Sequence, residues 1–440
     1  MNRRAVGSLI ITLALPLFAA DAPATKLTLH DALARALQVN NTIERSRAEI
    51  DVQDQSRKQL LSAVMPRINL TGGAIRNSEE VAFGSGSDSR TILPRNDWNY
   101  RIVMSQPIYA GRREFRAYSQ AKLGVENAKQ AELGTEDAVL LRVSSNYLAV
   151  ANSDQRIDVE KRNIGLAEKR RTQASAFYDA GETTKVDVLR AETAIKAAQR
   201  QLAVAEQSRE QAASRLRADL DLNSGIDVEH PADPLPPLPA QDNLEQRAIA
   251  ARPDVALAQN NLQVAKLEIQ KQRGFWLPTV SFDGGYVNQK SPFPTSHYAY
   301  GALRFTVPLL QSGEVEARVA QAKDREKQAE LALEDAKIGA REDVRTAIAN
   351  LRAAETGLGL AKEQLAAAEA EYQQSFELYR AQEATSLDVS TSETSVADAR
   401  RAVAEETLNR DLAELRVWYA AGDLKPALGL PNQTNGATQR

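Results

Sequence analysis

The sequence predicts a mainly α fold with a small β part, arranged as two tandem copies of one structural unit. Three observations carry that prediction. The segment YDAGETTKVDVLRAE, from Tyr178, returns as YRAQEATSLDVSTSE, from Tyr379, with seven of fifteen positions identical at a spacing of 201 residues. Two runs, Gly111 to Phe177 and Gly313 to Leu378, contain no proline, and each is long enough for a helix of roughly 100 Å at 1.5 Å per residue. Four short stretches alternate apolar and polar residues with the period of a β-strand.

The composition agrees. Of 440 residues only 5% are aromatic and 26% are charged, a palette suited to long amphipathic helices rather than one large round core. A formal net charge of −3 leaves no basic footprint for nucleic acid, and the run Glu168-Lys169-Arg170-Arg171 reads as a solvated helix face. Residues 1–22 read as a secretory signal peptide. Arg3 and Arg4 precede the apolar stretch Ala5–Phe18, and Ala20-Asp21-Ala22 supplies small residues for cleavage. That apolar stretch is too short to span a bilayer comfortably. There is no cysteine, hence no disulfide framework, thiolate metal site or N-terminal lipidated cysteine.

The first repeat is expected over 23–230. A helix at about 28–62 leads into strands at about 66–76 and 97–107, followed by a helical hairpin at about 111–220. A proline-rich linker, 231–241, overlaps the HPADPLPPLP run of His230–Pro239, which cannot be helix. The second repeat, 242–430, follows the same order: a helix at about 242–274, strands at about 278–288 and 298–308, and a helical hairpin at about 313–420. Residues 431–440 form a C-terminal tail. The copies match in polar as well as apolar positions: Val143, Val150, Ile157 and Ile164 correspond to Val344, Leu351, Leu358 and Leu365, while Asp154, Lys161 and Arg209 correspond to Glu355, Lys362 and Arg410. In the return helices a seam with seven-residue spacing runs through Val188, Ala191, Ile195 and onward, and again through Val389, Ser392 and Val396. The quoted segments then sit at hairpin tips, where Ala180-Gly181 can make the turn.

Each strand places its apolar residues on one side: Ile68, Leu70, Gly72, Ala74; then Trp98, Tyr100, Ile102, Met104; then Val280, Phe282, Gly284, Tyr286; then Leu303, Phe305, Val307. Strands of about ten residues with aromatics near their ends suit a barrel with lipid outside and water inside. Trp98 and Trp276 flank strands and suit the membrane boundary, whereas Trp418 suits helix packing. The intervening loops, 77–96 and 288–297, are polar or rich in Gly, Ser and Pro, and the Gly-Ser-Gly-Ser run at 84–87 reads as a flexible external loop. Four strands cannot close a barrel in lipid, so several chains must share one. Three would supply twelve strands.

The paired motifs PRINLTGG and PTVSFDGG, QPIYAG and VPLLQSG, together with the tip segment AGETTKVDVL, resemble the TolC-type outer membrane efflux protein family from about Leu27 to Leu430. That resemblance implies a homotrimer, with a shared 12-stranded transmembrane β-barrel continuous with a long α-helical coiled-coil barrel in the periplasm. It implies partners too: a periplasmic adaptor and an inner-membrane pump, with outer-membrane lipid around the barrel. By position, the adaptor-docking tips are Gly181, Glu182, Thr183 and Thr184 on one hairpin and Gln382, Glu383, Ala384 and Thr385 on the other. Asp388, with Asp187 as its counterpart, is the candidate periplasmic gate, against the alternative that both aspartates stabilise helix N-termini. Two departures from the family pattern are Gln382, where a glycine is usual, and Thr391, where some members carry a second aspartate.

The function expected is a passive exit duct in a tripartite efflux or type I secretion system. A periplasmic coiled-coil adaptor or scaffold protein is the competing reading, disfavoured by the duplicated strands. An enzyme is not expected. His30, His230 and His297 lie far apart in sequence without metal-ligand spacing, and no phosphate loop, nucleophile elbow or paired-carboxylate motif is present, so neither cofactor nor metal is called for.

Overall fold

The computed structural model describes residues 25–84, 86, 90–229, 235–290 and 295–431. The expected signal peptide, half of the Gly-Ser run, the start of the linker and nearly all of the tail lie outside the described residues. In chain order the elements are β1 (Thr25–Leu27), α1 (Leu29–Val39), α2 (Asn41–Ser62), β2 (Arg67–Arg76), β3 (Val81–Phe83), β4 (Arg90–Leu93), β5 (Asn96–Ala110), α3 (Arg113–Asp179) and α4 (Lys185–Leu220). They continue with β6 (Ile226–Val228), α5 (Gln241–Ala251), α6 (Pro253–Arg273), β7 (Thr279–Gln289), β8 (His297–Thr306), α7 (Glu314–Arg380), α8 (Ser386–Ala420) and α9 (Leu424–Ala427).

Three local features differ from the sequence reading. The helices expected at 28–62 and 242–274 are each broken in two. Asn40 adopts extended backbone and its side chain accepts the Thr42 N–H, which starts a new helix. Pro253 occupies the first turn of α6, where its missing N–H costs nothing, and Arg252 before it is extended. The loop at 77–96 carries a small antiparallel ribbon, β3 with β4. A parallel pair, β1 with β6, joins two three-residue strands that have too few positions to show a period.

The chain divides into two compact units. One contains residues up to 39, 143–234 and 360–408. Within it α3 and α4 run antiparallel, linked by Asn146 to Asp219 at 2.7 Å and Arg209 to Asp154 at 2.5 Å. The fully buried Tyr147 places its hydroxyl 2.9 Å from the Leu27 carbonyl and 2.5 Å from that of Glu229, which fastens the β1–β6 pair to α3. The seam residues Val188, Ala191, Ile195, Val389, Ser392 and Val396 are all buried or half-buried.

The other unit contains residues 40–142, 235–359 and 409 onward. Its centre is the antiparallel sheet β2-β5-β7-β8. Residues directly opposite in register share a face. Ile68 lies opposite Met104, Leu70 opposite Ile102, Ile102 opposite Tyr286, Phe282 opposite Leu303, and Val280 opposite Phe305. The four apolar series thus form one face, and it is bare: Ile68, Leu70, Leu303 and Phe305 are 65–73% exposed. Trp98 and Trp276 stand exposed at opposite ends of the sheet, and Trp418 is buried. Among the described residues the outer edges of β2 and β8 have no strand partner.

Sharp corners join strand to helix and helix to helix. The left-handed residues there recur 201 positions apart: Gly111 with Ser312, Arg112 with Gly313, Gly181 with Gln382, and Asp221 with Gly422. Each pair has a glycine in one member only. Gly111 also meets a second constraint, since a Cβ on it would lie 2.2 Å from the Gly274 carbonyl oxygen.

Within this unit, Arg47 of α2 bonds Glu132 and Glu136 of α3 at 3.2 and 3.1 Å, and the buried Lys425 of α9 also bonds Glu136. Burial pushes the neighbouring Asp137 carboxyl from 3.8 up to about 6, with Lys425 opposing and Glu136 adding to the shift. A carboxyl raised on folding binds its proton more tightly in the native state. Its contribution to stability is therefore full below about pH 4 and lost as pH rises to about 6. Asp137→Asn is expected to remove this loss, raising stability at pH 7.5 by on the order of 1 kcal/mol after allowance for its partial exposure. Thermal denaturation at pH 4.5 and 7.5 reads the difference.

Candidate functional site

The two hairpin tips lie in the first unit. The sequence pattern T-x-x-D closes each: Thr184-Lys185-Val186-Asp187 opens α4, and Thr385-Ser386-Leu387-Asp388 opens α8. At the second tip the box is reciprocal. Asp388 accepts from the Thr385 N–H at 2.8 Å and from its hydroxyl at 2.6 Å, while the Asp388 N–H donates to Thr385 Oγ1 at 3.3 Å. These bonds from the Thr385 hydroxyl and N–H hold the Asp388 carboxyl below its usual range. At the first tip Asp187 accepts from the Thr183 hydroxyl at 2.5 Å and from Thr184 at 3.4 Å. Burial opposes ionisation of Asp187, but bonds from Thr183, from Ser386 of the other hairpin and from Thr184 outweigh it and lower its pKa.

The turns follow from the ends of α3 and α7. Glu182 N–H reaches back to Phe177 O at 2.8 Å and Gly181 N–H to Tyr178 O at 3.0 Å. Glu383 to Leu378 and Gln382 to Tyr379 repeat this at 2.8 and 3.1 Å. This double bond pattern requires a left-handed residue, met by Gly181 at φ 78° and by Gln382 at φ 62°. Thr183 and Ala384 are half-buried, whereas Glu182, Thr184, Glu383 and Thr385 are exposed.

Three contacts at the tips escaped the sequence reading. Gln382 Nε2 donates to Glu182 at 2.7 Å, Ser386 donates to Asp187, and Phe177 meets the buried Tyr379 edge-on at 5.4 Å. Each joins one hairpin to the other, so no within-hairpin pattern could reveal it. One reading needs correction: within the basic run 168–171, Arg170 is not solvated. It is 2% exposed and bonds Glu393 of α8 at 2.7 Å. Burial pushes the Glu393 carboxyl up, and Arg170 partly reverses that shift. Nearby, Arg401 of α8 bonds Glu160 of α3 at 2.7 Å, and Arg400 bonds Glu369 of α7 at 2.8 Å.

No group of His, Asp and Glu suited to a metal ion occurs among the described residues, and no helix among them is long and apolar enough to cross a membrane. The fold thus combines a sheet with one bare apolar face and two long helical hairpins. The chain belongs to the outer membrane efflux protein family, whose model matches residues 32–220 and 244–423. It is similar to the outer membrane efflux protein BepC of Brucella suis biovar 1 (strain 1330), 23% identical over 378 residues that cover 82% of this chain and 78% of that protein. Its fold is that of CusC, with TM-score 0.79 and 16% identity over 90% of this chain and 92% of that one. It is likewise that of the outer membrane protein VceC of Vibrio cholerae, with TM-score 0.74 and 15% identity over 90% and 96%. Family membership places the protein in the outer membrane of a Gram-negative bacterium, with its helical part in the periplasm.

The left-handed corners yield a test. Gln382→Gly relieves a strained backbone and is expected to raise stability by about 0.5–1 kcal/mol, while Gly181→Ala is expected to lower it by about 1 kcal/mol. Thermal denaturation of the two variants, read by helical circular dichroism, separates these signs.

Proposed function

We propose that this chain is one third of an outer-membrane exit duct: three copies share a twelve-stranded barrel continuous with a helical tunnel, and each copy is two tandem repeats. The duct is passive and acts with a periplasmic adaptor and an inner-membrane pump in a tripartite efflux or type I secretion system. The observation that carries this reading is the four-stranded sheet with a bare apolar face and two unpaired edges. In lipid every backbone group needs a partner, so such a sheet requires identical neighbours at both edges. Leu331 and Ile338, seven residues apart on α7 and about half exposed, offer a similar open seam along the helices.

In this reading the tips, Gly181 to Thr184 and Gln382 to Thr385, receive the adaptor, and Asp388 carries the gate. Asp388 is exposed and bonded only within its own turn, so copies brought together would present a ring of carboxylates whose ionisation is coupled. Asp187 is half-buried and tied to the other hairpin, which makes it the weaker gate residue. The expected results are a detergent-solubilised trimer that conducts ions across a planar bilayer, and a severalfold higher single-channel conductance in Asp388→Ala as cation binding at the ring disappears. A monomer without conductance would end the duct reading. Unchanged conductance and ion selectivity in the variant would remove Asp388 as the gate.

A further inference from the structure

The face of the sheet opposite the apolar one has an uneven charge. The four strands together contain four arginines and two aspartates, with no lysine or glutamate, in a chain whose formal net charge is −3. Register assigns three of the arginines to the polar face. Arg67 lies opposite Ser105, Ser105 opposite Asp283, and Arg101 between Thr71 and Val287. Arg304 joins them through its contact with Asp283 at 3.2 Å. Arg76 ends β2 opposite Asn96, beside the loops.

Three arginines and two aspartates leave this face with a net charge of +1 in each chain. Asp283 is held by the Ser105 hydroxyl at 2.8 Å and by Arg304. Asp97, at the loop end, accepts the backbone N–H of Trp98 at 2.9 Å. Arg67 and Arg101 have no ion-pair or hydrogen-bond partner among the described residues. Their cross-strand neighbours are neutral, and the two lie four residues apart in register, about 13 Å along the strands. Two unneutralised guanidinium groups on a single wall, repeated by every copy sharing the barrel, make a cationic passage. Guanidinium is also the side chain best matched to planar carboxylate and phosphate groups.

We infer that the strand-lined part of the duct is a cationic lane that favours small organic anions bearing carboxylate, sulfonate or phosphate groups, with Arg67 and Arg101 as its selectivity residues. This rests on the duct reading above. The lane acts locally on whatever selectivity the helical tunnel imposes, so its signature is a change between variants. Rings of arginine act on anions by attraction across a low-dielectric wall, and the same charges disfavour cations.

The test measures reversal potentials of the full-length protein in planar bilayers under a potassium chloride gradient. In the Arg67→Gln/Arg101→Gln double variant the chloride-to-potassium permeability ratio is expected to fall about twofold or more, and the Arg67→Lys/Arg101→Lys variant is expected to retain the wild-type ratio. Inorganic tripolyphosphate is expected to block wild-type current, a measurement that needs no variant to assemble. A conducting wild-type pore that tripolyphosphate leaves unblocked overturns the lane while the duct stands, as does an unchanged ratio in the glutamine variant. A wild-type protein that forms no pore overturns both.

Discussion

A strand in hydrocarbon has no water to satisfy its backbone, and that constraint governs this molecule. The sheet meets it internally along three ladders, of which the β5–β7 ladder is the decisive one. β5 and β7 lie far apart in sequence, separated by both helices of the first hairpin, yet they pair over eleven registered positions with one irregularity near Pro107. That pairing turns two strand hairpins into one continuous surface with a single apolar face. It leaves only the outer edges of β2 and β8, so the unfinished part of the structure is confined to two lines of backbone, one at each end of the sheet. In the duct proposed above, closure by identical copies is the symmetric solution, since each β2 edge can meet a β8 edge of the next.

What the sequence disclosed, and what it hid, follows from how local each cause is. Alternation of period two and the seven-residue helical seam depend on residues a few positions apart, so the strand faces and the buried seam were readable. The T-x-x-D boxes at Thr184–Asp187 and Thr385–Asp388 are four residues long and were readable as helix starts. The corners were half readable. Each of the four corner pairs carries glycine at one position and Ser, Arg, Gln or Asp at the other, so composition marks each corner once. The repeat spacing supplies the missing member. Arg170 was hidden because its burial depends on Glu393, more than two hundred residues away. The β1–β6 pair was hidden because three residues show no period, and its anchor, Tyr147, lies inside α3.

The spacing of 201 residues also shows where matching positions have taken different roles. Tyr178 is 45% exposed, whereas Tyr379 is 6% exposed against Phe177. Glu192 is an exposed partner of Arg171 at 3.7 Å, whereas Glu393 is buried with Arg170. At both pairs of matching positions the second hairpin carries the buried member and the first the exposed one. An exposed ion pair contributes little, while a buried one is costly to break from either side. The buried ion pair near the tips joins α3 to α8.

The same asymmetry separates the two aspartates. Asp187 has bonds from Thr183, Thr184 and Ser386, so its carboxylate is committed to holding the tips together. Asp388 is bonded only to Thr385 of its own turn and remains exposed. A charge can act on a passing ion only while its field reaches solvent, and a carboxylate saturated by three hydroxyl donors has little left to offer. The two tips thus carry carboxylates in the same T-x-x-D pattern with different availability. Part of the difference is local, since Thr183 and Arg190 bond Asp187 where the second hairpin has Ala384 and Thr391, and part is long-range, since Ser386 of the other hairpin also reaches Asp187. A ring assembled from such chains would carry one available carboxylate per chain rather than two, which limits the repulsion that a narrow opening has to withstand.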